Sequence, residues 1–257
     1  GASIKVADLA TSYQSVKSEY AALASNRQWQ QLFSHADGSE VSLLSHPSDP
    51  SCPYVRMTSI MPGTVQDVWD FFDLENWETS LPKIDPYYDG LTIHGDYKHR
   101  GLEMKLARKK TKRLVTFGKR DFTFLSVSEH LRDEARVSGT VSVVSDQIPR
   151  EKGYVRAYQD SMSYYEPMED DAETGMPRMK LTMMCRLDLN DSRSGGDGGN
   201  VPMWIYVKTV GTTAMASVQN MKRQIKLLSE EKGNTARAEK PCRNNWWKKI
   251  RKITKQC

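Results

Sequence analysis

The spacing of apolar residues predicts the elements in turn along the chain. Near the start, Leu9, Tyr13, Val16, Tyr20 and Leu23 recur at intervals of four and three, the stripe of an amphipathic helix expected to run on toward Trp29 and Phe33. Two strand-like runs follow, EVSLL and YVRMTSIM. In PGTVQDVWDFF, Thr64 can cap a helix that has Asp67 at its third position, and Val65, Val68, Trp69 and Phe72 give that helix one apolar face.

From Leu91 to Leu189 the period becomes two, which predicts consecutive strands and an antiparallel sheet. The last run is the clearest. Met179, Leu181, Met183, Cys185, Leu187 and Leu189 share one face, Arg178, Lys180, Thr182, Arg186 and Asp188 the other, and Met184 is the exception. MEDDAETGMP and NDSRSGGDGGN read as hairpin connections. A long helix is then expected from Pro202, with Met203, Val207, Val210, Ala214, Ser217, Met221, Ile225 and Leu228 along one face, Met215 and Val218 beside it, and Gly211 weakening its middle. The class is α+β, and a terminal helix lying across such a sheet can enclose an elongated apolar cavity.

Four motifs in order resemble the START (steroidogenic acute regulatory-related) lipid-transfer domains over roughly residues 25 to 230. KRDFTFLS is similar to the family's RDF strand, YVRAYQDSMSYYEP to the strand opening Val155, Arg156, Ala157, and DLENWETSL to the short helix with Trp77 and Glu78. LTMMCRLDLND followed by GNVPMWIYV resembles the strand ending in Asp188 and the lid helix that opens with Pro202 and Trp204. The resemblance implies the helix-grip fold, in which a curved antiparallel sheet wraps the C-terminal helix and one lipid sits between them. Two departures bear on the ligand. Ser126 stands where cholesterol-carrying members have a cavity arginine, and Leu74 where phosphatidylcholine-binding members have the arginine that meets the phosphate.

With Ser126 facing the cavity, strand alternation turns Phe122 and Phe124 inward as well. Leu181, Met183 and Cys185 then form the facing wall of the last strand, met by Met203, Val207, Val210 and Met215 of the lid. An ordinary packed core is the plain alternative for each of these residues. Arg120, Asp121 and Arg156 read as a structural ion pair before they read as ligand contacts.

Charge sharpens the domain organisation. The chain carries +5, yet residues 233–257 hold eight basic residues against Glu239, a local +7 that leaves −2 for residues 1–232. A lipid-binding domain over 1–232 and a basic tail over 233–257 are expected. On a helix, Trp246, Ile250 and Ile253 take one side of the tail with Trp247 adjacent, whereas Lys248, Lys252 and Lys255 take another, with Lys249 and Arg251 adding charge. Peripheral docking on an anionic leaflet and a solvated basic segment remain open readings, with nucleic acid the weakest.

Cys52, Cys185, Cys242 and Cys257 lack metal-ligand or disulfide-framework spacing, so no metal or cofactor is expected, and scattered thiols fit the reducing cytoplasm. Lys5 occupies the position at which a myristoylation signal needs Ser or Thr. His35, His46, His94, His99 and His130 belong to no nucleophile or metal motif, and neither GxSxG nor HExxH occurs. The expectation is a monomeric, non-enzymatic carrier of one phospholipid, sphingolipid or sterol between membranes. A lipid-sensing or scaffolding module, or an enzyme on a related cavity fold, is the alternative.

Overall fold

The structure is a computed structural model that describes residues 5–50, 52–113, 118–145, 147–189 and 203–238, with side chains of the last segment described over 207–229. Helix α1 (Val6–Ala24) is followed by strands β1 (Gln30–Ser34), β2 (Glu40–Leu44) and β3 (Tyr54–Pro62). Helix α2 (Val65–Phe72), a 3₁₀ turn (Leu74–Asn76) and helix α3 (Trp77–Ile84) lead into β4 (Tyr88–His99) and β5 (Leu102–Thr111). The remaining elements are β6 (Arg120–His130), β7 (Arg136–Ser142), β8 (Val155–Met168), β9 (Arg178–Asp188) and helix α4 (Met203–Ala238).

The strands form one sheet in the order β1-β2-β3-β9-β8-β7-β6-β5-β4, with antiparallel neighbours throughout. A short parallel pairing joins Arg120, Asp121 and Phe122 of β6 to Val155, Arg156 and Ala157 of β8. It has a simple origin: β6 and β8 both run antiparallel to β7, hence parallel to each other, and they meet where β7 has ended.

Both faces of the sheet are covered. On one face α1 lays Leu9, Ala10, Tyr13 and Tyr20 over Met104, Leu125, Val127, Val137, Met162 and Met184. This explains Met184, the residue out of step with the polar face of β9: that face is under a helix, not in water. On the other face α2, α3 and α4 pack around Met61, Tyr165, Met179 and Leu181. The Thr64 cap forms as a reciprocal box, with Asp67 N–H donating to the Thr64 hydroxyl at 3.1 Å and Thr64 N–H to the Asp67 carboxylate at 3.0 Å.

Three expectations need correction. Helix α1 stops at Ala24: Asn26 N–H donates to the Leu23 carbonyl at 3.0 Å, and Asn26 Oδ1 accepts from Gln28 N–H at 2.7 Å, a side-chain turn that diverts the chain. Trp29 folds back to donate to that same carbonyl at 3.0 Å, and Phe33 belongs to β1. The glycine-rich NDSRSGGDGGN lies wholly outside the described residues, between a strand and a helix and not between two strands. Helix α4 continues to Ala238, so residues 233–238 extend the helix. Residues 239–257, including Trp246 through Lys252, lie outside the described residues.

Close approach explains two glycines. A Cβ on Gly139 would overlap the Tyr13 ring and stand 2.8 Å from Met162 Sδ, so α1 reaches the sheet only because β7 has no side chain there. Gly139→Ala is expected to cost about 1–3 kcal/mol through overpacking, measured as a fall in the urea midpoint at unchanged slope. Gly211 of α4 lies directly under the Phe33 ring, which accounts for a glycine in mid-helix by packing.

Candidate binding cavity

Between the sheet and α4 lies a cavity of about 780 Å³, within the range of roughly 300–1,000 Å³ typical of single-ligand sites. Helices α2 and α3 with the turn between them supply Trp69, Phe72, Leu74, Trp77, Leu81 and Ile84. Trp77 is fixed by its indole N–H, which donates to the Phe72 carbonyl at 2.8 Å. Helix α4 presents Thr209, Val210, Thr213, Ala214, Ser217 and Met221, residues three and four apart on one face. Strands β3 and β9 add Val55, Met57, Met183, Cys185 and Leu187. The cavity reaches the surface beside the exposed Arg100, Gly101, Glu103 and His130.

Of the residues singled out from the sequence, Phe122, Ser126, Met183, Cys185 and Val210 line this cavity. Phe124 shares their side of the sheet, but the Trp77 ring covers it at 5.8 Å and it does not reach the wall. Leu181 is fully buried beneath α2 and the far half of α4. Val207 packs against the cluster that holds Phe122, Phe124 and Leu189, and Met215 against the cluster of Val41, Val55, Met57 and Val218, and neither lines the wall. The Met203 side chain lies outside the described residues.

The charged triplet resolves differently from its order in sequence. Arg156 Nε and Nη2 donate to the two Asp121 oxygens at 3.0 Å each, whereas Arg120 donates to the carbonyls of Leu189 at 2.8 Å and Gly118 at 2.6 Å. None of the three lines the cavity. The two wall lysines have partners: Lys105 pairs with Glu75, and Lys109 lies 3.9 Å from Asp85 and 5.5 Å from the Phe122 ring centre. Burial pushes the Cys185 thiol up to about 12, so it is a small neutral wall residue and a poor nucleophile.

Helix α4 is held unevenly. Val218, Met221 and Ile225 are fully buried, and Asp37 in the β1–β2 turn accepts from Lys222 at 2.7 Å and Gln219 at 3.1 Å. From Val207 to Ser217 the cavity-facing residues are only half-buried. Burial would raise the Asp37 carboxyl, but hydrogen bonds from Lys222, Ser39 and Gln219 outweigh it and hold the group well below its ordinary 3.8. A depressed carboxyl stabilises the fold above its unfolded value and loses that contribution as pH falls through its folded one. Asp37→Asn is therefore expected to cost less than about 1 kcal/mol at neutral pH, a difference that shrinks as pH drops below 3.8 in urea titrations run in parallel with the parent.

The α2–α3 wall, Trp77 included, and all but Ser126 of a set of hydroxyls on β6, β7 and β8 were not among the cavity residues inferred from the sequence. The signal of the hydroxyls was present in VSGTVS and DSMSYY, where serine and threonine alternate with apolar residues. Alternation by itself does not say which face meets water.

A nine-stranded antiparallel sheet closed over a C-terminal helix, with a cavity between them, is the helix-grip fold of the StAR-related lipid transfer (START) domains, and the class is α+β. Human StAR-related lipid transfer protein 5 superposes with a TM-score of 0.71 at 18% identity, covering 87% of this chain and 99% of that one. Human STARD10 gives 0.65 at 15%, covering 89% and 85%, and a STAR-related lipid transfer protein fragment from Xanthomonas axonopodis gives 0.58 at 16%, covering 77% and 98%. No protein-family model and no curated protein matches the sequence. Among the described residues, no helix is long and apolar enough to cross a membrane.

Proposed function

We propose that this chain binds one lipid non-covalently in the cavity and carries it between membranes, with α4 as the lid. The observation that supports this reading most directly is the cavity itself, about 780 Å³ of space between the sheet and a helix whose near half is half-buried. A lipid body placed there gains about 0.8 kcal/mol per buried methylene, on the order of 10 kcal/mol for a long chain before ordering costs. Solved structures with this fold carry lipid-transfer names, which points the same way.

The basic segment 239–257 is the second part of the proposal. Its tryptophans and lysines suit the boundary of an anionic leaflet, where each basic residue contributes about 1 kcal/mol. Native mass spectrometry of the full chain purified from cells is expected to show one co-purifying lipid. A donor-to-acceptor vesicle assay is expected to show transfer; ligand retained against excess acceptor vesicles would identify a sensor instead. Deleting residues 242–257 is expected to reduce vesicle binding most with anionic lipid at low salt. Equal binding with and without the segment would remove it from the mechanism.

A further inference from the structure

The wall formed by β6, β7 and β8 is unlike the surface an acyl chain would select. Strand register places Ser126 opposite Thr140 and Thr140 opposite Ser161, so that three hydroxyl residues form one row across three strands. Two residues along, Ser128, Ser138 and Ser163 form a second row in the same way. All six line the cavity. With strands about 4.8 Å apart and alternate residues about 6.7 Å apart, the rows make a hydroxyl grid of roughly 10 by 7 Å.

The grid has a sharp edge. On β9 the first row continues into Cys185 and the second into Met183, and on β3 these face Val55 and Met57. One side of the cavity is therefore polar along the middle of its length and the other apolar. Among the described residues, the side-chain hydroxyls of Ser126, Ser128, Thr140 and Ser161 make no hydrogen bond, while Ser138, at 3.2 Å, and Ser163 engage the Tyr165 hydroxyl. Covering such groups with a plain hydrocarbon chain would strip their hydration without replacement, a costly change.

Resting on the carrier reading above, we infer that the ligand is a lipid with neutral hydroxyl groups distributed along one face of an apolar body, as in a polyhydroxylated sterol, and not one with a single polar head. A hydroxyl both donates and accepts, so it matches a serine or threonine hydroxyl in either role. On the cavity wall the two lysines already hold carboxylates, so among the described lining residues a phosphate would meet its cation in Arg100, exposed at the mouth, and not beside the hydroxyl rows.

The test compares three probes on the full chain: cholesterol, a cholestane triol with its hydroxyls on one face of the rings, and phosphatidylcholine vesicles. The triol is expected to bind at least about ten-fold more tightly than cholesterol, as two or three added hydrogen bonds allow. The combined Thr140→Val and Ser161→Ala variant, checked by thermal unfolding, is expected to lose most of that preference. Equal binding of triol and cholesterol by the parent chain, a reading independent of any variant, would overturn the inference and leave the carrier intact. So would tighter binding of phosphatidylcholine, or a preference that survives in a folded variant. Failure to bind any of the three would also overturn the inference, and the carrier reading falls with it only if no lipid co-purifies with the full chain.

Discussion

Arg156→Ala is expected to lower the unfolding free energy by about 3–5 kcal/mol. The cause is the charge it leaves behind. Asp121 is fully buried, and apart from Arg156 its carboxylate has Glu151 N–H at 3.1 Å. Arg156 also donates to the Thr123 hydroxyl at 2.8 Å and the Ile148 carbonyl at 3.2 Å, so the substitution strips partners from polar groups on β6 and in the β7–β8 connection at the place where β6 and β8 pair directly. Urea unfolding measures the loss as a shifted midpoint. Replacing both partners, Asp121→Leu with Arg156→Met, is expected to cost less than the two single losses added together, because no buried charge then remains. A single loss below about 1 kcal/mol would show instead that water reaches the pair.

That pair marks how far a sequence can be read. The residues Arg120, Asp121 and Arg156 stand out by charge within apolar strands, and a structural role follows from that alone. Which arginine meets the carboxylate depends on the parallel contact between β6 and β8, a consequence of where β7 ends, and no local pattern encodes it. The strands from β4 to β9 and the long helix were legible because their apolar residues keep one period over many positions. Strand β1 was not, since QQLFS is short and mostly polar and follows a helix whose stripe it prolongs. The hydroxyl wall escaped for a different reason. In β7, Val137 and Val141 face α1 while Ser138 and Thr140 face the cavity, so both faces are enclosed and the polar one imitates a solvent face. The START resemblance pointed to a cavity between the sheet and the long helix; of the nine described residues inferred with it five reach the wall, because Trp77 and the packing around α4 cover others on the same faces.

Fixing the near half of α4 to the sheet is expected to slow lipid transfer at least about ten-fold, whereas fixing its far half should change little. A ligand enclosed by this helix cannot leave until part of it moves, and the differential burial of the two halves says which part moves at lower cost. Val218, Met221 and Ile225 would have to leave a dry core, and the hydrogen bonds to Asp37 would have to break. Residues 207–217 would give up half-buried contacts and the seat of Phe33 on Gly211. A disulfide between Phe33→Cys and Gly211→Cys clamps the near half at its closest approach to β1, and neither position lines the cavity. The control joins Asp37→Cys to Lys222→Cys at the latch through a reducible thiol cross-linker that replaces the reach of the lysine side chain. Both clamped proteins should hold preloaded lipid when no acceptor is present, and reduction should restore transfer in the first. Equal transfer rates in oxidised and reduced forms of the near-half clamp would exclude the near half of α4 as the gate, and a block by the latch cross-link alone would place the moving segment beyond Val218.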